Sequence, residues 1–150
     1  MMKKILVPID GSDISLRAMN FAIELGKHFA SEIVVLNVDI PYDLSRIKPA
    51  VKDKDGNEIE SARLTPLELA QREAGKSGYD KITFKKYVDI DPAEKICEVA
   101  ETIDADLIVM GSHGWGKFKS AVLGSTAAKV GAATELPILI IRSDKDELLV

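Results

Sequence analysis

The chain alternates short apolar runs with longer segments in which apolar residues recur at helical spacing. The apolar runs predict buried strands at residues 3–9, 32–39, 107–110 and 136–141, and partial alternation predicts an edge strand at 82–90. The segments between them predict helices at 14–30, 67–76, from Pro92 onward, and 119–134. Strands that alternate with helices predict an α/β fold, in which one five-stranded, doubly wound parallel sheet carries helices on both faces.

One segment breaks this alternation. Residues 41–62 are rich in charges and contain two prolines and a turn sequence, Asp55-Gly56-Asn57. We interpret the segment as an irregular insertion, a solvated excursion or a small hairpin, within a single domain that spans residues 1–150.

Composition excludes several classes of protein. The net charge of −4 and the pI near 5.2 argue against nonspecific binding of nucleic acid, which needs a basic surface. No apolar run has the length of a membrane span, and the N-terminus is a poor signal peptide. The single cysteine excludes an intramolecular disulfide. We therefore expect a cytoplasmic protein that binds neither nucleic acid nor a membrane.

A glycine-rich stretch follows the strand at 107–110. Gly111, Gly114 and Gly116 come first, and Gly124 follows with Ser125 and Thr126 directly behind it. A strand, a glycine loop and a helix start make an anion cradle, because free backbone amides and the helix dipole point at the loop. This pattern leads to the hypothesis that the loop holds the phosphates of a nucleotide. The alternative is that these glycines form only a tight turn and a helix terminus.

Two common phosphate-loop patterns do not fit this stretch. The Walker pattern fails because Phe118 stands where a hydroxyl must bind magnesium. The dinucleotide pattern G-x-G-x-x-G fails because Lys119 stands where its last glycine should be. The spacing that matches is G-x2-G-x9-G-[ST], which begins at Gly111 and ends at Ser125.

Together with three other segments, this spacing resembles the universal stress protein family, specifically its ATP-binding branch. The resemblance covers nearly the whole chain and rests on KKILVPIDGS, VVLNV, ADLIVMGSHG followed by GS, and LPILIIR. It implies the strand order 3-2-1-4-5. Chain order then reverses between the first and fourth strands, which opens a crevice beside the glycine loop, with Asp10 on its other side.

The resemblance also implies roles for individual residues. Asp10 would meet the ribose side of the nucleotide or a bound metal, while Pro8 and the main chain of Val38 would border the adenine. The alternative for Asp10 is a turn or helix-capping residue, and for Val38 it is core packing. Trp115 departs from the small or basic residue expected at its position. The implied phosphate-binding set is Gly111, Ser112, His113, Gly114, Trp115, Gly116, Lys117, Gly124, Ser125, Thr126 and Ala127.

The implied ligand is ATP, with Mg²⁺ or Mn²⁺ held through the phosphates and Asp10. Catalysis is poorly supported, because the two histidines and Cys97 form no convincing catalytic set, so we expect at most slow hydrolysis. Two alternatives stay open: a weak ATPase or adenylyl-transfer enzyme, and an interaction protein of the same fold that binds no nucleotide. Similar proteins pair their last strand across a two-fold axis, which implies a homodimer through residues 137–141 and a further, unknown protein partner.

Overall fold

The structure is a computed structural model that describes residues 1–41, 51–52, 54–56, 58–59, 64–114 and 123–143. Its strands are β1 (Lys4–Pro8), β2 (Glu32–Asp39), β3 (Val51–Lys52), β4 (Glu58–Ile59), β5 (Ile82–Val88), β6 (Leu107–Gly111) and β7 (Ile138–Ile141). Its helices are α1 (Asp13–Phe29), α2 (Pro66–Gly75), α3 (Pro92–Thr102) and α4 (Ser125–Ala133).

The main sheet has five parallel strands in the order β5-β2-β1-β6-β7. Counted along the chain without the short β3–β4 pair, this order is 3-2-1-4-5, so the predicted fold class and strand order are confirmed. The central strand β1 pairs with β2 from Lys4↔Glu32 to Pro8↔Leu36, and with β6 at Ile5↔Leu107. The carboxyl ends of β1 and β6 therefore lie side by side at one edge of the sheet.

Helices cover both faces of the sheet, because consecutive strand residues point to opposite sides. Ile5 and Val7 pack with α1 and α2 in one buried cluster, whereas Leu6 packs with α3 and α4 in the other. The chain thus leaves β1 toward one face and reaches α4 on the opposite face. This divergence at the carboxyl ends of β1 and β6 opens a crevice between them.

Three helices begin where the sequence places capping residues. Ser12 caps α1, Thr65 forms a capping box with Glu68 at the start of α2, and Asp91 caps α3 through the Glu94 N–H. The fourth differs from its prediction. Helix α4 begins at Ser125 rather than at residue 119, and its N-cap, Gly124, has an extended backbone with φ −63° and ψ 161°. The glycine-rich stretch therefore ends at the start of a helix.

Within the predicted insertion, β3 and β4 pair antiparallel as a short hairpin. Gly56 lies between the two strands with φ +82°, a conformation that favours glycine. A short hairpin therefore forms part of the insertion, while residues 42–50, 53, 57 and 60–63 lie outside the described residues. None of the helices in the described residues combines the length and the hydropathy of a membrane span.

The Asp106 side chain links the start of β6 to the start of β1 by hydrogen bonds. Its Oδ2 accepts hydrogen bonds from the backbone N–H groups of Lys3 at 2.8 Å and Lys4 at 3.0 Å. These N–H groups, Lys3 first, hold the pKa of the Asp106 carboxyl below its ordinary value.

We expect Asp106→Asn to lower the free energy of unfolding by about 1–2 kcal/mol at pH 7, because a charged acceptor is lost from two hydrogen bonds. A lowered folded-state pKa stabilises the fold above the unfolded-state pKa, and this contribution disappears as the pH falls through the folded-state value. The difference between the two proteins should therefore shrink at pH 3, which urea unfolding at both pH values would show. Asp104→Asn, at an exposed site two residues earlier, is the control; an equal loss there would contradict the role of Asp106.

Candidate functional site

A cleft of about 300 Å³ opens between the carboxyl ends of β1 and β6. Its volume lies at the lower end of the range for small-molecule sites. Within the described part of the chain, all the predicted site residues line this cleft except Ser112. The lining comprises Pro8, Ile9, Asp10, Ser15, Leu36, Val38, Ile40, Pro92, Ile96, Met110, Gly111, His113, Gly114, Gly124, Ser125, Thr126 and Ala127.

Asp10 lies just after the end of β1, and hydrogen bonds from Ser12 hold its carboxylate in place. Its Oδ1 accepts hydrogen bonds from the Ser12 N–H at 2.9 Å and the Ser12 hydroxyl at 2.5 Å. The Asp10 N–H donates to Ser15 Oγ at 3.3 Å, and that hydroxyl in turn donates to the Ser12 carbonyl. Ser12, rather than Asp10, caps α1. The turn alternative for Asp10 therefore holds, because its Oδ1 accepts from the N–H two residues later. Asp10 does not cap α1 itself but binds Ser12, the residue that does.

At Gly111 and Gly124, the missing side chain leaves room for other atoms of the protein, which the sequence did not predict. A Cβ at Gly111 would lie 3.2 Å from the His113 carbonyl and from Ile14 Cγ2. At Gly124 it would lie 3.0 Å from the His113 Cα and 3.2 Å from the Ser112 carbonyl oxygen. All four distances are shorter than ordinary contacts. Gly124 thus lets the two arms of the loop, residues 111–114 and 123–124, touch, whereas Gly111 lets the first arm pack against its own His113 carbonyl and against Ile14 of α1. Both glycines also border the cleft.

Gly114 has a different neighbour. A Cβ at this position would collide with Oδ2 of Asp10. The first arm of the loop therefore passes directly against the carboxylate at the end of β1. This approach places a negative charge beside the loop.

The second arm of the loop leads into the N-terminus of α4. Gly124 offers no side chain to accept a hydrogen bond from the first turn, and no side-chain cap is present. The N–H groups of the first turn, from Ser125 to Ala127, have no intrahelical acceptor and belong to residues that line the cleft. The positive end of the helix dipole lies at the same place, so this end of the cleft favours an anion.

Ser112 stabilises the fold through its hydrogen bonds and does not itself line the cleft. The sequence interpretation gave it a loop amide for phosphate binding, but its N–H donates to the Ile141 carbonyl at 2.8 Å and extends the β6–β7 pairing. Its carbonyl accepts from the Gly124 N–H at 2.6 Å, and its buried hydroxyl lies 3.0 Å from Nδ1 of His113. Ser112 thus ties the two arms of the loop together and orients the His113 ring, which borders the cleft.

Val38 borders the opposite end of the cleft through its backbone. The backbone groups of odd-numbered residues of β2, such as Ile33 and Asp39, form hydrogen bonds with β5 and its ends. The Leu36 carbonyl instead accepts a hydrogen bond from the Ile9 N–H on the β1 side. By this alternation the N–H and C=O of Val38 point toward β1, at a level where β1 has already ended at Pro8. One donor and one acceptor therefore face the cleft. The side chain of Val38 is itself buried in the core, so its packing and its cleft position coexist.

Asn37 is a site-shaping residue that the sequence interpretation missed. Its side chain is fully buried, and its Nδ2 donates to the Ile9 carbonyl at 3.0 Å. This bond fixes the end of β1 just before Asp10. A signal was present in the sequence, because Asn37 is the one polar residue inside the apolar run VVLNV.

The apolar wall of the cleft was also missed. It consists of Leu36 and Ile40 from β2 and its end, Pro92 and Ile96 from α3, and Met110 from β6. Such a wall suits a flat apolar group of a ligand, since small-molecule sites are lined mainly by apolar side chains. No signal in the sequence distinguishes these residues from ordinary core residues. Trp115, Gly116 and Lys117 lie outside the described residues.

Nucleophilic catalysis finds little support at this site. Cys97 is half-buried on α3 against the core, and burial is the main cause that raises the pKa of its thiol. A raised pKa disfavours the reactive thiolate. His28 lies on the exposed side of α1, and the hydroxyl beside His113 belongs to the buried Ser112. Among the described residues, no group of three or more His, Cys, Asp or Glu side chains could hold a metal ion.

Comparisons with known proteins agree on one family. The model of the universal stress protein family matches residues 1–142. The universal stress protein YxiE of Bacillus subtilis is 33% identical over 150 residues, which cover 95% of this chain and 100% of YxiE. A universal stress protein solved in complex with cAMP is 23% identical with a TM-score of 0.68, covering 95% of this chain and 98% of its own. One from Archaeoglobus fulgidus, in complex with dAMP, is 23% identical with a TM-score of 0.62, covering 94% and 98%.

Proposed function

We propose that this chain, which belongs to the universal stress protein family, binds an adenine nucleotide in the cleft between β1 and β6. The observation that carries the proposal is the uncapped N-terminus of α4, whose first residues line one end of the cleft while the backbone of Val38 faces the other. A nucleotide matches this arrangement, since its phosphate is an anion and its base is flat and apolar with polar edges. Two relatives of the same fold, solved with cAMP and dAMP, support the choice of adenine.

We place the phosphates at Ser125, Thr126 and Ala127 and the base between Pro8 and the apolar wall. There the N–H and C=O of Val38 would pair with the acceptor and donor on the edge of adenine. Guanine presents the opposite order of donor and acceptor on that edge and should be rejected, because buried polar groups would be left unpaired.

Competition binding tests this assignment. A fluorescent adenine nucleotide bound to the protein should be displaced by ATP or AMP at concentrations at least about tenfold lower than those of GTP or CTP. Equal displacement by all bases would remove the adenine assignment while leaving phosphate binding in place. No binding of the adenine probe would contradict the proposed function.

Among adenine nucleotides, we propose ATP as the ligand, with Mg²⁺ or Mn²⁺ bound to its phosphates. The described residues fit such an ion only in part, since Asp10 is the one carboxylate that borders the cleft. One carboxylate plus substrate phosphates is nevertheless a usual way to bind Mg²⁺. When bound, the ion would neutralise phosphate charge. The chain would then act as a nucleotide-dependent stress-response module and not as an efficient enzyme.

We further propose that two copies pair through β7. The main sheet has two edge strands, β5 and β7. The edge strand β5 carries Lys85 and Lys86, and such charges protect a strand edge from pairing. The other edge strand reads Ile138-Leu139-Ile140-Ile141 and carries no charge. An unprotected apolar edge needs a cover, which a second copy would supply.

The two edges allow a matched test of the dimer. The backbone groups of Ile140 on β7 and Val88 on β5 both point away from the sheet by the alternation of parallel pairing. Ile140→Lys should convert the protein to a monomer at micromolar concentration in sedimentation, whereas Val88→Lys should leave the dimer intact. A wild-type monomer at that concentration, or dissociation by Val88→Lys alone, would contradict the assignment.

A further inference from the structure

The backbone hydrogen bonds between β1 and β2 end one step before Val38. In this parallel pair the even-numbered residues of β2 bond to β1, and the last such bond runs from the Ile9 N–H to the Leu36 carbonyl at 2.8 Å. The next bond of a regular ladder would run from the Val38 N–H to the Ile9 carbonyl. Among the described residues, that carbonyl accepts instead from Nδ2 of the Asn37 side chain at 3.0 Å. A side-chain amide thus takes the place of the next backbone donor.

Burial makes the choice of donor matter for the Ile9 carbonyl. Ile9 is 5% exposed and Asn37 is 1% exposed, so both partners of this hydrogen bond lie in the protein interior. A buried carbonyl that lacks a donor costs free energy, so the structure must supply one. While the Asn37 side chain supplies it, the Val38 N–H is not drawn into the ladder with β1.

We propose that Asn37 is a positioning residue, which keeps the Val38 N–H available to the ligand by satisfying the Ile9 carbonyl in its place. The inference rests on the proposed nucleotide site, where the N–H and C=O of Val38 meet the edge of the base. It adds the reason why the ladder ends at this level and leaves that end of the cleft open. An apolar residue at position 37 would match the rest of the run VVLNV, but it would let the ladder continue to Val38.

Amide hydrogen exchange in the ligand-free protein tests the structural half of this inference. In the wild type, the Val38 amide should exchange at least about 100-fold faster than the Leu36 amide, which lies in the ladder with β1. Asn37→Leu keeps a side chain of similar size but removes the donor, so the Ile9 carbonyl should accept from the Val38 N–H instead. The Val38 amide should then exchange about as slowly as that of Leu36.

Competition binding tests the functional half. Asn37→Leu should weaken AMP binding about tenfold, which is the effect of one lost hydrogen bond, and should reduce the preference for AMP over GMP. Inorganic phosphate, which we place at the start of α4, should bind the variant as it binds the wild type. A loss of base preference with unchanged phosphate binding is what a positioning role predicts, whereas a general loss of structure would weaken both.

Ser31→Ala is the matched control for the loss of a buried side-chain donor. The hydroxyl of Ser31, a fully buried residue, donates to the Met2 carbonyl at 2.6 Å, just before β1, as Asn37 donates to the Ile9 carbonyl just after it. Both substitutions should lower the melting temperature, because each leaves a backbone carbonyl without its side-chain donor. Ser31→Ala should leave the exchange of the Val38 amide and the base preference unchanged.

Four results would overturn the inference. They are slow exchange of the Val38 amide in the wild type, wild-type exchange of that amide in Asn37→Leu, wild-type base preference in Asn37→Leu, and equal effects of Asn37→Leu and Ser31→Ala on base preference. If Asn37→Leu does not fold, the exchange data of the wild type decide. If the wild type binds no adenine nucleotide, the proposed function is wrong, and exchange in the two ligand-free proteins still decides whether Asn37 holds Val38 out of the ladder.

Discussion

Replacement of Gly124 by valine should strongly weaken nucleotide binding. The backbone at Gly124 is extended and open to any residue, so the obstacle is steric and not conformational. The new side chain would start 3.0 Å from the His113 Cα and would push apart two loop arms that the bond from Gly124 N–H to Ser112 carbonyl holds together. Helix α4 begins at the next residue, so its first amides would move away from the cleft.

We expect Gly124→Val to weaken adenine nucleotide binding at least about 100-fold, because a shift near 1 Å in a binding group has effects of that size. Overpacking should also lower the free energy of unfolding by about 1–3 kcal/mol. Calorimetric titration and urea unfolding measure the two effects. Gly124→Ala should show the same effects at smaller size.

Gly131→Ala is the control for this series, since Gly131 lies inside α4 and a Cβ there meets nothing within 4 Å. It should bind nucleotide like the wild type and be slightly more stable, because alanine favours a helix over glycine. Wild-type affinity in Gly124→Val would show that the close approach of the loop arms is not needed for binding.

The second large effect should come from Ser125→Asp, and it should have opposite signs for stability and for binding. Ser125 is the first residue of α4, is exposed and borders the cleft. A carboxylate at a helix N-terminus stabilises the helix by about 0.3–1 kcal/mol. The same charge would occupy the place proposed for the phosphate and repel it.

We therefore expect Ser125→Asp to raise the melting temperature slightly while weakening nucleotide binding by about 10–100-fold. Thermal unfolding with and without nucleotide measures both effects on one sample. Ser125→Asn has the same shape without the charge and should lose much less affinity. If Ser125→Asp bound nucleotide as tightly as Ser125→Asn, the phosphate would not lie at the start of α4.

The order of strands and helices could be predicted from the sequence because its determinants are local. The apolar run that forms β2 has the predicted bounds, residues 32–39, and Pro92 marks the first turn of α3 as predicted. The predicted start of α4 at residue 119 was wrong because the N-cap is Gly124, which has no capping side chain to signal the boundary. The residues before it include ordinary helix formers, so propensity extended the predicted helix.

The site could be predicted only where a motif carries it. The glycine spacing and Asp10 identified the two sides of the cleft. Which atoms each glycine approaches could not be predicted, because His113 and Ser112 meet Gly124 only after the loop has closed on itself. The apolar wall was missed for a similar reason, since residues such as Ile40 and Met110 come from distant segments and resemble core residues in composition.

We claim that phosphate binds at the start of α4 and that the base lies against Val38. Backbone amide signals from nuclear magnetic resonance, followed in titrations with AMP, with adenosine and with inorganic phosphate, test both placements. We predict that AMP shifts the amide signals of Val38 and of Ser125, Thr126 and Ala127. Adenosine should shift Val38 but not the α4 amides, and phosphate should do the reverse. Signals that move elsewhere on the protein, or that do not move with AMP at saturating concentration, would contradict the claim.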